Sequence, residues 1–460
     1  MGHVDWSYKW ANQIYMNESK SSCTSHLAAQ PQPQSKTLAA WLHYLSSLHH
    51  ADIDLGLERI GIVAKALNLG DFSSLGSKVV LIAGTNGKGT TSRFIESYLC
   101  DQGATVGVFN SPHLIHYNEC VRVNGQLLPD QVHIQAFDYI ETHRPDISLT
   151  AFEYQTLAAF YILAQAKLDY VLIEVGMGGR LDSTNVVNPD ISVITTVAID
   201  HQAFLGGDRQ SIGFEKAGIF RANKPAIVGE YDIPATVFEQ AQNIGCRLLC
   251  AGADFSIELT DKTWCWQSKS QRLSASRLQH AAIPWQNLST ALAVLEQLEV
   301  TLDSAQVNQV LATIKVEGRM HRLTVDACHQ PLLLDVAHNV QAAQYLAEHL
   351  AEHLAEHLVE QSQPIIAVVG MLKDKDMAGV MAHLAPYIDQ WHLCQLDTPR
   401  TASLEQLVTA VEIHSERPHS CYQQVADGLT QAIVHANQVN GMVVVFGSFF
   451  TVADAIKQYQ

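Results

Sequence analysis

Lys78-Val-Val-Leu-Ile-Ala-Gly-Thr-Asn-Gly-Lys-Gly-Thr-Thr91 is the stretch on which the fold of this chain turns. Its first part is an apolar run of strand length, its centre holds glycines around a lysine, and a helical pattern follows to about Gln102. Strand, glycine-rich turn and helix together are the context of a phosphate loop. Glycines let backbone N–H groups turn inward and approach oxygens closely. Lys88 can reach the β- and γ-phosphates of a nucleotide as a point charge. The hydroxyl of Thr90 or Thr91, at the helix start, is placed for a phosphate or magnesium. The loop departs from the usual Walker pattern: Ile82 stands where that pattern has its first glycine, and Gly89 separates Lys88 from Thr90. The competing reading is a strand–helix turn without a ligand. A lysine flanked by glycines directly after a buried strand weighs against it.

Outward from this loop the same theme recurs. Asp169–Val175 and Ile191–Ala198 read as further buried strands, and Ile365–Val369, Trp391–Cys394 and Met442–Phe446 repeat the pattern far downstream. Strands alternating with helical stretches predict an α/β fold with mostly parallel sheets. A chain of 460 residues exceeds one ordinary core. The expected division is a polar N-terminal extension over 1–36, a loop-bearing domain over 37–316 and a second domain over 317–460. Residues 250–283 are polar and weakly periodic, which suggests a small antiparallel insert. The extension lacks an apolar secretory core, and Met16 offers a second possible start.

Composition excludes several classes. The formal charge of -17 argues against nucleic-acid binding, although a local site can still be positive on an acidic protein. No run is long and apolar enough for a membrane span. The nine cysteines form no CxxC pair, as expected of reduced thiols in a cytoplasmic protein, and Cys246 and Cys250 lack a second pair for zinc. Three copies of Ala-Glu-His-Leu begin at Ala347, Ala351 and Ala355. Their period of four predicts a helix with Leu350, Leu354 and Leu358 on a drifting stripe. His349, His353 and His357 share another face. A metal there would need further fixed partners, so a solvated helix face is the favoured reading.

The loop is one of a series of ordered motifs. They are Asp54-Leu-Gly-Leu-Glu-Arg59, Asn110-Ser-Pro-His-Leu114, Thr150-Ala-Phe-Glu-Tyr154, Glu174-Val-Gly-Met-Gly-Gly-Arg-Leu-Asp182, Asp200-His201, Glu215-Lys-Ala-Gly-Ile219, Gly318-Arg319, Asp335-Val-Ala-His-Asn339, Gly370-Met-Leu-Lys-Asp-Lys-Asp376 and Gly447-Ser-Phe449. In this order they resemble the folate branch of the Mur ligase superfamily, the bifunctional dihydrofolate synthase/folylpolyglutamate synthases. The resemblance covers about residues 37–460. It implies a P-loop-containing, Mur-ligase-like central domain with a mostly parallel sheet and a smaller, Rossmann-like C-terminal α/β domain.

The activity implied is ATP-dependent joining of L-glutamate to dihydropteroate, and to tetrahydrofolate to form polyglutamates, through an acyl phosphate. Two magnesium ions are implied. By resemblance Ser111 and Glu174 hold one, and Glu174 and His201 the other, with Lys216 carboxylated on its amine to support it. Taken alone, Ser111 reads rather as an N-cap or turn hydroxyl and Lys216 rather as a salt-bridged surface lysine, while His201 reads equally as a structural histidine. Lys88, His201, Lys216 and Arg319 are the implied catalytic groups. Thr85, Asn86, Gly87, Lys88, Gly89, Thr90, Asn287, Arg319 and Asp335 are the implied nucleotide contacts. The pterin acceptor is expected at Asp54, Leu55, Gly56, Leu57, Thr150, Ala151, Phe152, Glu153, Leu181, Asp182 and Ser183, with Phe152 offering either a stacking ring or core packing. His338, with Asn339 and Ser448, is expected on the glutamate side. A monomer is expected. Departures from the family pattern occur at Gln202-Ala203-Phe204, Val340 and Phe450, away from the loop and metal candidates. The alternatives are a ligase with one of the two folate activities, a peptidoglycan-type Mur ligase, and a non-catalytic nucleotide-binding homologue. Gly89 and the Asp54 motif speak against the second; intact Lys88, Ser111, Glu174, His201 and Lys216 speak against the third.

Overall fold

The computed structural model describes residues 37–49, 51, 53–277, 283–357 and 363–459. The expected extension over 1–36 lies outside the described residues, as does Leu358 of the microrepeat. Eight strands form the first sheet: β1 (Lys78–Ala83), β2 (Val106–Phe109), β3 (Val121–Val123), β4 (Gln126–Leu127), β5 (Tyr170–Glu174), β6 (Ile191–Ile194), β7 (Pro225–Val228) and β8 (Arg247–Cys250). Their spatial order is β4-β3-β2-β5-β1-β6-β7-β8, parallel from β2 through β8, with antiparallel β3 and β4 at one edge.

The apolar run of β1 is explained by its central position. Val79, Leu81 and Ala83 enter the core on one face, and Val80 and Ile82 the core on the other. Both faces of a parallel sheet are covered, so a strand here has no solvent side on which to place polar residues. β6 ends at Ile194, earlier than its apolar run, and the backbone beyond it bonds the end of β1 and the glycine loop: Thr195 N–H donates to the Ala83 carbonyl and Thr85 N–H to the Thr196 carbonyl, both at 2.9 Å. Thr195 Oγ1 donates to the Asn86 carbonyl at 2.6 Å, and Asn86 N–H donates to Thr196 Oγ1 at 2.9 Å.

A three-stranded antiparallel sheet follows, β9 (Phe255–Leu259), β10 (Thr263–Ser268) and β11 (Arg272–Ser276), in the polar segment expected to hold such an insert. Trp264 and Trp266 from β10 are fully buried in the core shared with the helix Trp285–Gln297.

The last sheet comprises β12 (His321–Leu323), β13 (Leu332–Leu334), β14 (Ile365–Val369), β15 (Gln390–Cys394), β16 (His419–Tyr422) and β17 (Met442–Phe446). Its order is β12-β13-β17-β14-β15-β16, with only β12 antiparallel. Met442, Val444 and Phe446 face one core and Val443 and Val445 the other, the same two-sided burial as in β1. The microrepeat lies in the helix Val340–His357, where Leu350 is buried. The side chains of His353 and His357 lie outside the described residues, so the metal reading of that face is not addressed by the structure.

Candidate active site

The glycine loop sits where ligands gather in open parallel sheets, at the carboxyl ends of strands whose connections diverge to opposite sides. β1 ends beside Glu174 of β5 on one flank and Ile194 of β6 on the other. The helix after the loop begins at Lys88, two residues earlier than its spacing predicts, with Gly87 before it at φ 87°. A side chain at Gly87 would be strained, and its Cβ would lie 2.5 Å from Asn287 Oδ1. Asn287, itself buried, approaches the loop from the helix behind it and donates to Thr90 Oγ1 at 2.7 Å.

A cleft of about 520 Å³ opens in front of the loop, between the two large sheets. Thr85, Asn86 and Lys88 line it from the loop; Ser111, Glu174, His201 and Lys216 line it from the first sheet; Arg319, His338 and Ser448 line it from the second. Gly87, Gly89, Thr90, Asn287 and Asp335 do not line it; they stand behind its wall.

Lys88 Nζ lies 3.8 Å from Glu174 Oε1 and donates to the Gly84 carbonyl at 3.0 Å. Glu174 Oε2 accepts from Asn110 Nδ2 at 2.6 Å. Burial pushes the Glu174 carboxyl above its ordinary value, against the opposing charge of Lys88. Such a group is stabilised by gaining positive charge. Lys216 is 2% exposed, and burial, reinforced by Lys88, lowers its amine to about 7. Burial likewise lowers His201 to about 4, which leaves the imidazole neutral and able to ligate.

These donors suit a divalent cation. Among the described residues no three His, Cys, Asp or Glu side chains converge to hold a metal by themselves. A carboxylate and a hydroxyl supplemented by nucleotide phosphate oxygens are donors that magnesium favours, and the neutral His201 imidazole adds a nitrogen donor of a kind commoner at softer metals.

Arg319 is half-buried, with its guanidinium 5.4 Å from the Phe449 ring centre. Asp335 accepts from Met320 N–H at 2.9 Å and Ala337 N–H at 2.8 Å, which shapes the backbone between Arg319 and His338. His338 Nε2 lies 3.3 Å from Asp200 Oδ2.

A second cleft of about 290 Å³ opens beside the first and shares Ser111, Pro112, His113, Gly176, Met177 and His201 with it. Asp54, Leu55, Gly56, Thr150, Phe152, Glu153, Leu181, Asp182 and Ser183 line it, all among the expected acceptor residues. Leu57 and Ala151 stand outside its lining. Phe152 stacks on Phe109 with ring centres 6.3 Å apart. Asp182 Oδ2 accepts from Met177 N–H at 2.8 Å, so its carboxylate also holds the turn after β5. Thr150 and Glu153 form a reciprocal cap of the helix Ala151–Gln165.

Sequence reasoning passed over several groups. Lys375 lies within the Gly370–Asp376 motif without an assigned role, yet it pairs with Asp200 at 2.5 Å. Gln341 accepts from Asn86 Nδ2 at 2.7 Å, and Asn339 exchanges amide bonds with Asn86 at 3.1 and 3.0 Å. Arg122, from the short strand β3 with no motif, donates to Asn110 Oδ1 at 2.8 Å and pairs with buried Glu96.

The Mur ligase middle domain model matches residues 82–300, and the Mur ligase glutamate ligase domain model matches 318–449. The dihydrofolate synthase/folylpolyglutamate synthase of Escherichia coli is 42% identical over 420 residues, 91% of this chain and 95% of that protein. The chain belongs to the dihydrofolate synthase/folylpolyglutamate synthase family of Mur ligases. The Haemophilus influenzae member is 40% identical over 431 residues, 91% of this chain and 96% of its own length. Among solved members of the family, E. coli FolC in complex with DHPP and ADP superposes with TM-score 0.83 at 41% identity, covering 93% of this chain and 98% of that one. The Yersinia pestis bifunctional enzyme complexed with AMPPNP and Mn ion gives 0.83 at 41%, covering 93% and 99%.

Proposed function

We infer that this ligase adds L-glutamate to dihydropteroate, forming dihydrofolate, and to tetrahydrofolate, forming polyglutamates. One observation carries the reading: the glycine loop, buried Glu174 and Lys216, and Arg319 and His338 of the second sheet face one cleft that continues into a smaller, ring-sized one. ATP lies on the loop with Lys88 at its terminal phosphates. The acceptor ring lies in the smaller cleft against Phe152, and its carboxylate points through the shared wall toward the γ-phosphate.

A carboxylate is a poor electrophile. Its oxygen attacks the γ-phosphorus, ADP leaves, and an acyl phosphate forms. The glutamate amine then attacks the acyl carbon, loses a proton, and the tetrahedral intermediate expels inorganic phosphate as the amide forms. Transfer of this kind is governed by positioning and charge neutralisation. Lys88 and Arg319 supply fixed cations from opposite walls. Ser111, Glu174, His201 and a carboxylated Lys216 would hold two magnesium ions, which when bound neutralise charge on phosphate oxygens. A lysine amine near 7 is substantially neutral, the form that carbon dioxide captures. His338, Asn339 and Ser448 present the incoming glutamate.

In this reading residues 37–316 hold nucleotide and acceptor, and residues 317–460 hold glutamate. No described helix is long and apolar enough to cross a membrane; we place the enzyme in the cytoplasm as a monomer. The test is phosphate release by purified protein with each acceptor, with and without glutamate. Release that requires both partners is expected. Release indifferent to them would end the ligase reading, and turnover with one acceptor alone would reduce it to a single activity.

A further inference from the structure

The main cleft extends well past the phosphate end. One face of the helix Phe449–Tyr459 lines it, through Phe449, Phe450, Ala453, Asp454 and Lys457. Phe449 covers Arg319 at one end of this face. Lys457 stands eight residues further along the same face, about 12 Å away at the usual helical rise.

Lys457 differs from the other cations of the cleft in being both exposed and, among the described residues, unpaired: Lys216 is buried, and Arg319 lies against the Phe449 ring. Lys88 lies by Glu174, Lys375 is taken up by Asp200, and Arg400 pairs with Asp374 at 2.8 Å. Lys457 is exposed and, among the described residues, is in no ion pair. Lys457 and His113 line the same cleft, and the helix of Lys457 packs through Val452, Ala455 and Ile456 in the core that Leu114 and Ile115, the two residues after His113, pack against. His113 is one of the residues common to both clefts, so Lys457 flanks the passage between the ring-sized cleft and the phosphate end. On a chain of charge -17, an unpaired cation at such a passage marks the route of an anion.

The two acceptors of the proposed reaction differ at that place. In dihydropteroate the carboxylate attached to the ring system is itself the reacting group, so nothing anionic lies between ring and γ-phosphate. In tetrahydrofolate a glutamyl residue intervenes, and its non-reacting carboxylate falls along the passage. Resting on the substrate reading above, we propose that Lys457 is a specificity-determining residue that binds the non-reacting carboxylate of glutamylated acceptors and is silent toward dihydropteroate.

The experiment compares both activities in Lys457→Gln and Lys457→Glu. An exposed charge-assisted contact of this kind is worth about 1 kcal/mol, so Lys457→Gln should raise KM for tetrahydrofolate roughly five-fold. Lys457→Glu should raise it further, and Lys457→Arg should restore most of it. KM for dihydropteroate, KM for glutamate and the melting temperature should stay within two-fold or two degrees of wild type, on the order of measurement scatter. An equal rise for both acceptors, a rise in KM for glutamate, or no change in the glutamate-substituted variant would each overturn the assignment. Failure of the wild-type enzyme to use tetrahydrofolate at all would remove this proposal with the second activity. Failure to use either acceptor would instead strike the substrate reading itself.

Discussion

Lys375 Nζ lies 2.5 Å from Asp200 Oδ1, joining the loop after β6 in the first sheet to the loop after β14 in the second. Both side chains are more than nine-tenths buried. Burial alone would raise the Asp200 carboxyl; the hydrogen bond from His338 and the charge of Lys375 outweigh it and hold the carboxyl well below the usual range. Removing one partner leaves a buried charge uncompensated, at a cost of about 3 kcal/mol. Lys375→Met should show that loss in urea unfolding, and Asp200→Asn combined with it should recover part. Additive losses in the double-mutant cycle would show that the pair is not coupled. The depressed folded value also fixes the sign of the acid response. The stabilisation is complete above the unfolded carboxylate value and disappears as pH falls toward the lower folded one. Asp200→Asn should therefore flatten the decline of melting temperature in acid.

Arg122 supports the site from a distance. It pairs with Glu96, which has no exposed surface, and donates to Asn110, which in turn donates to Glu174. Arg122→Leu should free the Asn110 amide and let the Glu174 carboxylate drift. Partners at this remove are typically worth about 10–100-fold in metal affinity or activity. The expected outcome is a rise in the metal concentration for half-maximal activity. An unchanged metal requirement with normal kcat would show that Asn110 holds its place without the arginine.

Gly176 lies on the wall shared by the two clefts. A Cβ there would lie 2.5 Å from the Phe152 ring and 3.1 Å from Asp182 Oδ2. Gly176→Ala must push Phe152 off the floor of the smaller cleft, at a strain of about 1–3 kcal/mol. KM for the pterin acceptor should rise several-fold while KM for ATP stays near wild type. Equal effects on both substrates would point to collapse of the turn after β5 instead.

On the proposed reading, the buried Lys216 amine ties activity to dissolved carbon dioxide. Its value near 7, set by burial and by Lys88, means that the neutral fraction grows as pH rises through neutrality. At fixed dissolved carbon dioxide, enzyme depleted of it should regain activity about ten times faster at pH 8 than at pH 6, following the titration of one group. Reactivation at a rate independent of pH, or no dependence on carbon dioxide, would remove the carboxylated lysine from the mechanism.

Among the described residues, the Asn86 carboxamide hydrogen-bonds to Asn339 and Gln341 on the second sheet's side. Gln341→Ala should weaken this link by about 1 kcal/mol and raise KM for ATP, because the loop that holds the nucleotide loses a support. Fluorescence energy transfer between labels on the two sheets should report a wider separation without nucleotide. An unaltered separation and KM would show that Asn339 alone suffices.

The strands of both sheets could be read from the chain because a central parallel strand, covered on both faces, must be apolar at every position. β1, β14 and β17 match their apolar runs in full. The run ending at Ala198 overstated β6: past Ile194, Thr195 and Thr196 bond the glycine loop, more than a hundred residues away in sequence. The same limit applies to the site. Lys88 and its glycines announce themselves locally, since turn geometry and charge are properties of adjacent residues. The ion pair of Lys375 with Asp200, the support of Glu174 by Arg122 through Asn110, and the position of Lys457 beside His113 have no local signal. They arise only when strands pair across the first sheet and loops of the two sheets meet, bringing side chains distant in sequence close together. The sequence by itself determined a phosphate loop in an α/β ligase; packing decided which charges surround it, because Coulomb and hydrogen-bond interactions depend on separation in space and not on separation along the chain.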